Sequence, residues 1–253
     1  MSGGSRFYRC VAWLAATLLR LQGYRFDIQG TENIPTDGPG VLAANHQSFI
    51  DFILVGYAAR QRGRLVRFMA KQALFDLPLA GRAMRRMGHV PVTRGSGALP
   101  YRRARDWIDR GELVGVFPEG TISRSWLIKP LRPGAAGLSL SRGVPLIPVI
   151  SWGGHRIFSV DGHRSLRRRI PVTIRVGEPL TPDEGEGVPE LTDRLRVALT
   201  ALLDQAIEDY PDQPKNDADR WWLPHTHGGA APDPETAHAL DVAAVERLGD
   251  IIE

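Results

Sequence analysis

The chain has a single cysteine, Cys10. That excludes an intramolecular disulfide and a cysteine-rich metal site, and it suits a reducing compartment. Long hydrophobic runs are missing too. The uncharged stretch near the N-terminus, from Cys10 to Leu19, is about half the roughly 20 residues that a spanning helix needs. No small-residue cleavage site of the secretory type follows it, so a removable signal is not expected. The chain also has no G-x-S-x-G elbow, the strained turn that presents a nucleophilic serine. There is no zinc-finger spacing, RNP1-like segment or basic zipper, which argues against a nucleic-acid partner, and no internal repeat.

What is present suits one large folded unit. At 253 residues with ordinary apolar and charged content, one core is the default. Charge is unevenly placed: residues 60 to 175 carry 23 Lys/Arg against 6 Asp/Glu, while residues 178 to 253 carry 5 against 18. The basic middle suits an anionic partner such as phospholipid headgroups or a phosphorylated substrate, or is simply a solvated arginine-rich surface. His89, His155 and His163 have no ligand-like spacing, so no metal is expected.

Residues 7 to 22, FYRCVAWLAATLLRLQ, read as an amphipathic helix with Trp13 near a boundary and Arg6, Arg9 and Arg20 available to headgroups. The alternative is a helix packed on its own domain. From YRFDIQG at residue 24 onwards, short apolar strands alternate with helical stretches: VLAAN, LVRFMA, GHVPVTRG, ELVGVF, VPLIPVI and IPVTIRV are strand candidates. Helices are expected over about 73 to 87, over PYRRARDWIDRG with Gly111 as its cap, over GAAGLSLSRG and from 190 to 209. This alternation predicts an α/β fold, a single domain with a central mixed sheet covered by helices. Residues 1–23 are assigned to the interfacial helix, 24–210 to the domain and 211–253 to a loosely attached tail with a short helix around 240 to 249. Trp221 and Trp222 of that tail are expected to dock into a groove or a membrane interface.

The segment ANHQSFIDF places His46 and Asp51 five positions apart. In one helix they would point roughly 140° apart. They converge if His46 lies on the loop after VLAAN and Asp51 in the first turn of the next helix. Ser48 as N-cap with Asp51 three residues later has the pattern of a capping box. A carboxylate in that place can also orient the imidazole and stabilise the imidazolium formed when His46 removes a proton from a hydroxyl. With no protein nucleophile beside the pair, that hydroxyl is expected to belong to the substrate.

NHQSFID resembles the histidine, four residues, aspartate motif of the glycerolipid acyltransferases, the family of 1-acylglycerol-3-phosphate acyltransferases. MGHVPVTR, FPEGTISRS and VPLIPV resemble that family's second, third and fourth blocks, in the same order, within about residues 24 to 180. The resemblance implies a glycerolphosphate-acyltransferase-like fold, with His46 as general base and Asp51 as its partner. It implies that Arg94, Glu119, Gly120 and Thr121 shape the acceptor's phosphate-glycerol site, and that Lys71 supports phosphate binding or the developing oxyanion. Arg124 is included although Ile122 and Ser123 separate it from FPEGT, where the commonest pattern has arginine directly. Glu119, being anionic, is expected to hold an arginine or a substrate hydroxyl rather than phosphate.

The implied activity is transfer of a fatty acyl group from an acyl thioester, acyl-CoA or acyl-carrier protein, to a lysophospholipid hydroxyl at the cytoplasmic face of the cell membrane. Attachment would be peripheral or monotopic, on an anionic surface, with no cofactor or metal. The competing readings are a non-catalytic lipid-surface module and a hydrolase that uses water in place of the lipid hydroxyl.

Overall fold

The computed structural model describes residues 3–93 and 98–249. Among these residues seven strands form one sheet: β1 (Arg25–Gln29), β2 (Gly40–Ala44), β3 (Val66–Lys71), β4 (Val90–Val92), β5 (Leu113–Val116), β6 (Leu146–Trp152) and β7 (Pro171–Val176). Their order is β1-β7-β6-β2-β5-β3-β4. All neighbouring pairs are parallel except β6 and β7, which run antiparallel, so the sheet is mixed.

The apolar run of β2 is buried at every residue, as expected of a central parallel strand covered on both faces. Side chains alternate between the faces. Val41 and Ala43 join a core with Leu146 and Ile150, and Leu42 and Ala44 join the opposite core with Ile147 and Val149. Among the described residues there are eight α-helices: α1 (Gly3–Leu21), α2 (Asp51–Gln61), α3 (Gln72–Asp76), α4 (Pro78–Arg86), α5 (Ala98–Ile108), α6 (Gly134–Leu140), α7 (Val188–Glu208) and α8 (Pro234–Gly249). Helix α7 presents Leu191, Leu195, Leu199 and Leu203 to the first core, while Leu54, Val55, Ala58 and Ala59 of α2 fill the second.

The expected helix over residues 73 to 87 is two helices. Leu77 is extended, at φ −68° and ψ 130°, because the ring of Pro78 disfavours helical geometry in the residue before it. Gly111 does terminate the α5 segment, at φ 77°, with its N–H donating to Ile108 O and that of Glu112 to Trp107 O.

Helix α1 is two-sided. Tyr8, Ala16 and Leu19 are buried, and the Tyr8 hydroxyl donates to Val66 O at 2.7 Å. Trp13, Leu14, Leu18 and Leu21 are 52–66% exposed on its other side.

The segment after Tyr210, expected to be loosely attached, is anchored between Trp222 and Ala231. Trp222, Leu223 and Ala231 lie in the first core, and the Trp222 carbonyl meets the buried His155 Nε2 at 2.9 Å. Burying an indole outweighs the polar composition that surrounds it in the sequence.

Candidate active site

Strand β2 ends at Ala44 in the middle of the sheet, and ligands of open α/β sheets bind beyond strand carboxyl ends. Asn45 extends the pairing: its side-chain amide donates to Ser151 O at 3.1 Å and its carbonyl accepts the Ser151 N–H at 2.8 Å. His46 follows on the loop and Asp51 opens α2. The two converge, with His46 Nδ1 3.0 Å from Asp51 Oδ2.

Asp51 is buried, and its charge is well solvated by protein. Oδ2 also accepts the backbone N–H groups of Gln47 and Ser48, each at 2.7 Å, and Oδ1 accepts the Ser151 hydroxyl at 2.9 Å. An ionised carboxylate accepts and cannot donate, so Nδ1 must carry its proton and Nε2 is left with a lone pair. The ring stacks on Phe117 at 4.5 Å between centroids, and the His46 side chain is 23% exposed. It is a fixed imidazole with its basic nitrogen reachable from outside.

The capping-box expectation holds only in half. Asp51 reaches back to the Ser48 N–H, but the residue flanking α2 is Ile50. Ser48 Oγ accepts the Ile50 N–H at 3.2 Å and donates to the carbonyls of Gly154 and Phe158. Its hydroxyl is committed to the backbone and is not a nucleophile.

Strand β5, beside β2, delivers Glu119 to the same end of the sheet. Glu119 is 5% exposed. Its Oε1 accepts the backbone N–H of His46 at 2.7 Å and its Oε2 that of Lys129 at 3.0 Å. Among the described residues the partners of both oxygens are thus backbone amides, where the sequence reading expected an arginine or a substrate hydroxyl. Burial raises its pKa to about 8, against the two backbone hydrogen bonds and the Lys129 charge, which favour ionisation.

Gly120 sits at φ 76°, a region that side chains rarely enter. A Cβ there would also lie 2.8 Å from Arg132 Nε, so the absent side chain lets Arg132 pass over the turn. Thr121 Oγ1 accepts from Lys129 Nζ at 2.7 Å. The Arg124 guanidinium pairs with Asp161, at 2.9 and 3.2 Å, and with Asp241 of α8. Lys71 is exposed at the end of β3, opposite Val92 of β4. Arg94 lies outside the described residues.

Several supporting residues carry no mark in the sequence. Trp126 is buried with φ 58°, a strained setting for an aromatic residue. Its carbonyl accepts the Gln47 side-chain amide, and its indole N–H donates to Trp221 O at 2.8 Å. The loop carrying the base is thereby tied to the third block and to the C-terminal segment. Ser151, Phe117 and Lys129 give no sequence signal either, since each acts through a partner distant in the chain.

The comparisons agree with this architecture. A family model described as Acyltransferase matches residues 25–152. The chain is 32% identical over 179 residues to a chloroplast 1-acyl-sn-glycerol-3-phosphate acyltransferase of Brassica napus, covering 69% of this chain and 51% of that one. It thus spans about half the length of this curated relative. Over 203 residues it is 27% identical to a 1-acyl-sn-glycerol-3-phosphate acyltransferase of Bacillus subtilis, covering 80% of this chain and 96% of that one. The crystal structure of a 1-acyl-sn-glycerophosphate acyltransferase from Thermotoga maritima superposes with a TM-score of 0.68 at 22% identity, covering 81% of each chain.

Proposed function

The chain belongs to the acyltransferase family, and from that premise we propose that it acylates a lysophospholipid, 1-acylglycerol-3-phosphate, to give phosphatidate for phospholipid synthesis. The donor is an acyl thioester, acyl-CoA or acyl-carrier protein. The observation that carries this reading is the buried, four-fold hydrogen-bonded Asp51 that fixes His46 with its basic nitrogen outward. Among the described residues no serine or cysteine bonds to that nitrogen.

The acceptor hydroxyl gives its proton to His46 Nε2 as its oxygen attacks the thioester carbonyl. Asp51 stabilises the imidazolium that forms. The tetrahedral intermediate collapses to the ester and expels the thiolate, which takes the proton back from His46. No acyl-enzyme and no cofactor enter this scheme. Phe49 and Phe158, half-exposed and with ring centroids 4.8 Å apart beside the His46 loop, offer an apolar lip to a fatty chain. On the resemblance alone, Arg94 is assigned to the acceptor's phosphate, with Lys71 in support.

The apolar outer side of α1 is read as a seat in the cytoplasmic leaflet, with Arg6, Arg9 and Arg20 meeting anionic headgroups. No helix among the described residues is long and apolar enough to cross a membrane, which fits peripheral or monotopic attachment.

The test is acyl transfer from radiolabelled acyl-CoA with and without lysophosphatidate. His46→Ala is expected to lower kcat by at least about 10²–10⁴-fold, the usual scale of general-base catalysis, with unchanged folding by circular dichroism. Near wild-type turnover in that variant would sink the mechanism, and thioester hydrolysis without transfer would point to a hydrolase.

A further inference from the structure

Asp241 lies on α8, far beyond residues 25–152 that match the family model, yet its carboxylate reaches the loop that follows Glu119. One oxygen pairs with Arg124 and the other with Lys129. The three side chains are only 12, 21 and 16% exposed. Lys129 Nζ also donates to Thr121 Oγ1 at 2.7 Å, so two cations converge on one carboxylate and a hydroxyl stands beside one of them. This cluster is coupled to the base: the Lys129 N–H donates to Glu119 Oε2, and Glu119 Oε1 accepts the His46 N–H. A single buried carboxyl thus separates the cation pair from the backbone of His46.

We propose that Asp241 is a built-in competitor: the anion site of Arg124, Lys129 and Thr121, in the block that the resemblance gives together with Arg94 to the acceptor's phosphate monoester, is occupied by this carboxylate until the acceptor arrives. The identity of the acceptor rests on the function proposed above, whereas the anion site rests on its own geometry.

The chemistry favours exchange. A carboxylate brings one charge and two oxygens; a phosphate monoester brings a charge of about −1.5 to −2 and three acceptor oxygens, and so satisfies the same donors better. Arg124 is arranged for it. Its Nε and one terminal nitrogen are held by Asp161, which leaves the other terminal nitrogen, now on Asp241, for the incoming anion. Helix α8 is also lightly held: of residues 234 to 244 only Ala237 is buried. A segment with so few buried contacts opens at low free-energy cost. The phosphate would repel Asp241, and α8 would lift from the loop as the acceptor binds.

Two measurements on the full chain decide this. The first is amide hydrogen exchange of wild-type residues 234 to 244 at constant ionic strength, with inorganic phosphate, with lysophosphatidate, or with vesicles of phosphatidylglycerol, a diester. The two monoester-type ligands should speed exchange in α8, and the diester vesicles should not. The second is Asp241→Asn, which should lower KM for lysophosphatidate and the inhibition constant of phosphate together, by at least about threefold, with KM for acyl-CoA unchanged. Unaltered exchange at saturating phosphate, an equal effect of diester vesicles, or a rise in KM for both substrates would each overturn the proposal. If Asp241→Asn fails to fold, wild-type exchange decides by itself. If the protein does not acylate lysophosphatidate but phosphate still loosens α8, the anion site stands and the acceptor assignment falls.

Discussion

His46 is held at its ring by Asp51 and at its backbone N–H by Glu119. The first is legible in the sequence, because a five-residue spacing makes sense only across a loop-to-helix junction. The second is not, because Glu119 acts on backbone amides 73 residues before it and 10 after it, and amides leave no mark in a sequence. Ser151 is hidden for a similar reason: it reaches Asp51 from 100 residues away, through a sheet order that places β6 beside β2. Glu119→Gln tests the positioning role. A glutamine can accept from one amide only, so its NH₂ group faces a second donor, and the variant should lose about 1–3 kcal/mol of stability near pH 5. It should lower kcat, since Glu119 holds the backbone of the base. The stability gap to wild type should narrow as pH rises towards about 8, where the wild-type carboxyl is forced to ionise while buried. A pH-independent gap, or a loss confined to acceptor KM, would return Glu119 to substrate binding.

At the scale of elements, the buried strands announce themselves as short apolar runs, and α7 by its helical repeat of leucines. The break between α3 and α4 is masked because the apolar pattern continues through Pro78 even though the backbone cannot. Tyr8, Ala16 and Leu19 of helix α1 pack on the domain, as the second sequence reading expects, while Trp13, Leu14, Leu18 and Leu21 face outward. Replacing Leu14 and Leu18 together by aspartate removes apolar area from the outward side only. Because both residues are more than half exposed, folding stability should change by no more than about 0.5 kcal/mol per substitution. Flotation with anionic vesicles should fall to background, and activity on vesicle-embedded acceptor should fall with it, while activity on a short-chain soluble acceptor persists. Unchanged flotation would make α1 a packing helix and move the membrane contact elsewhere.

Across the whole molecule, the charge asymmetry visible in the sequence is partly neutralised internally. Asp212 pairs with Arg25, Arg156 and Arg167, Asp209 with Arg175, and Asp241 with Arg124 and Lys129, so the acidic C-terminal region folds back on the basic body. Stability against pH is governed instead by three buried groups. Burial holds His89 down at about 4 and His155 at about 3, and pushes Glu119 up to about 8. Between about pH 4.5 and 6.5 the unfolded chain binds a proton on each histidine that the folded chain refuses. Over the same range the folded chain keeps one on Glu119 that the unfolded chain has released. The unfolded state therefore binds one more proton, and stability rises with pH by roughly 1.4 kcal/mol per unit. Above about 6.5 the histidines are neutral in both states and only Glu119 differs, so stability falls until about pH 8. The displaced aspartates and Glu186 act at more acid pH, and the buried tyrosines at more alkaline pH. Urea unfolding at pH 5, 6.5 and 8 should thus give its highest midpoint at 6.5, and Glu119→Gln should abolish the fall on the alkaline side and steepen the rise on the acid side. A wild-type midpoint that climbs from 6.5 to 8 would mean that Glu119 is ionised in its buried site, with the Lys129 charge and the two amides outweighing its desolvation.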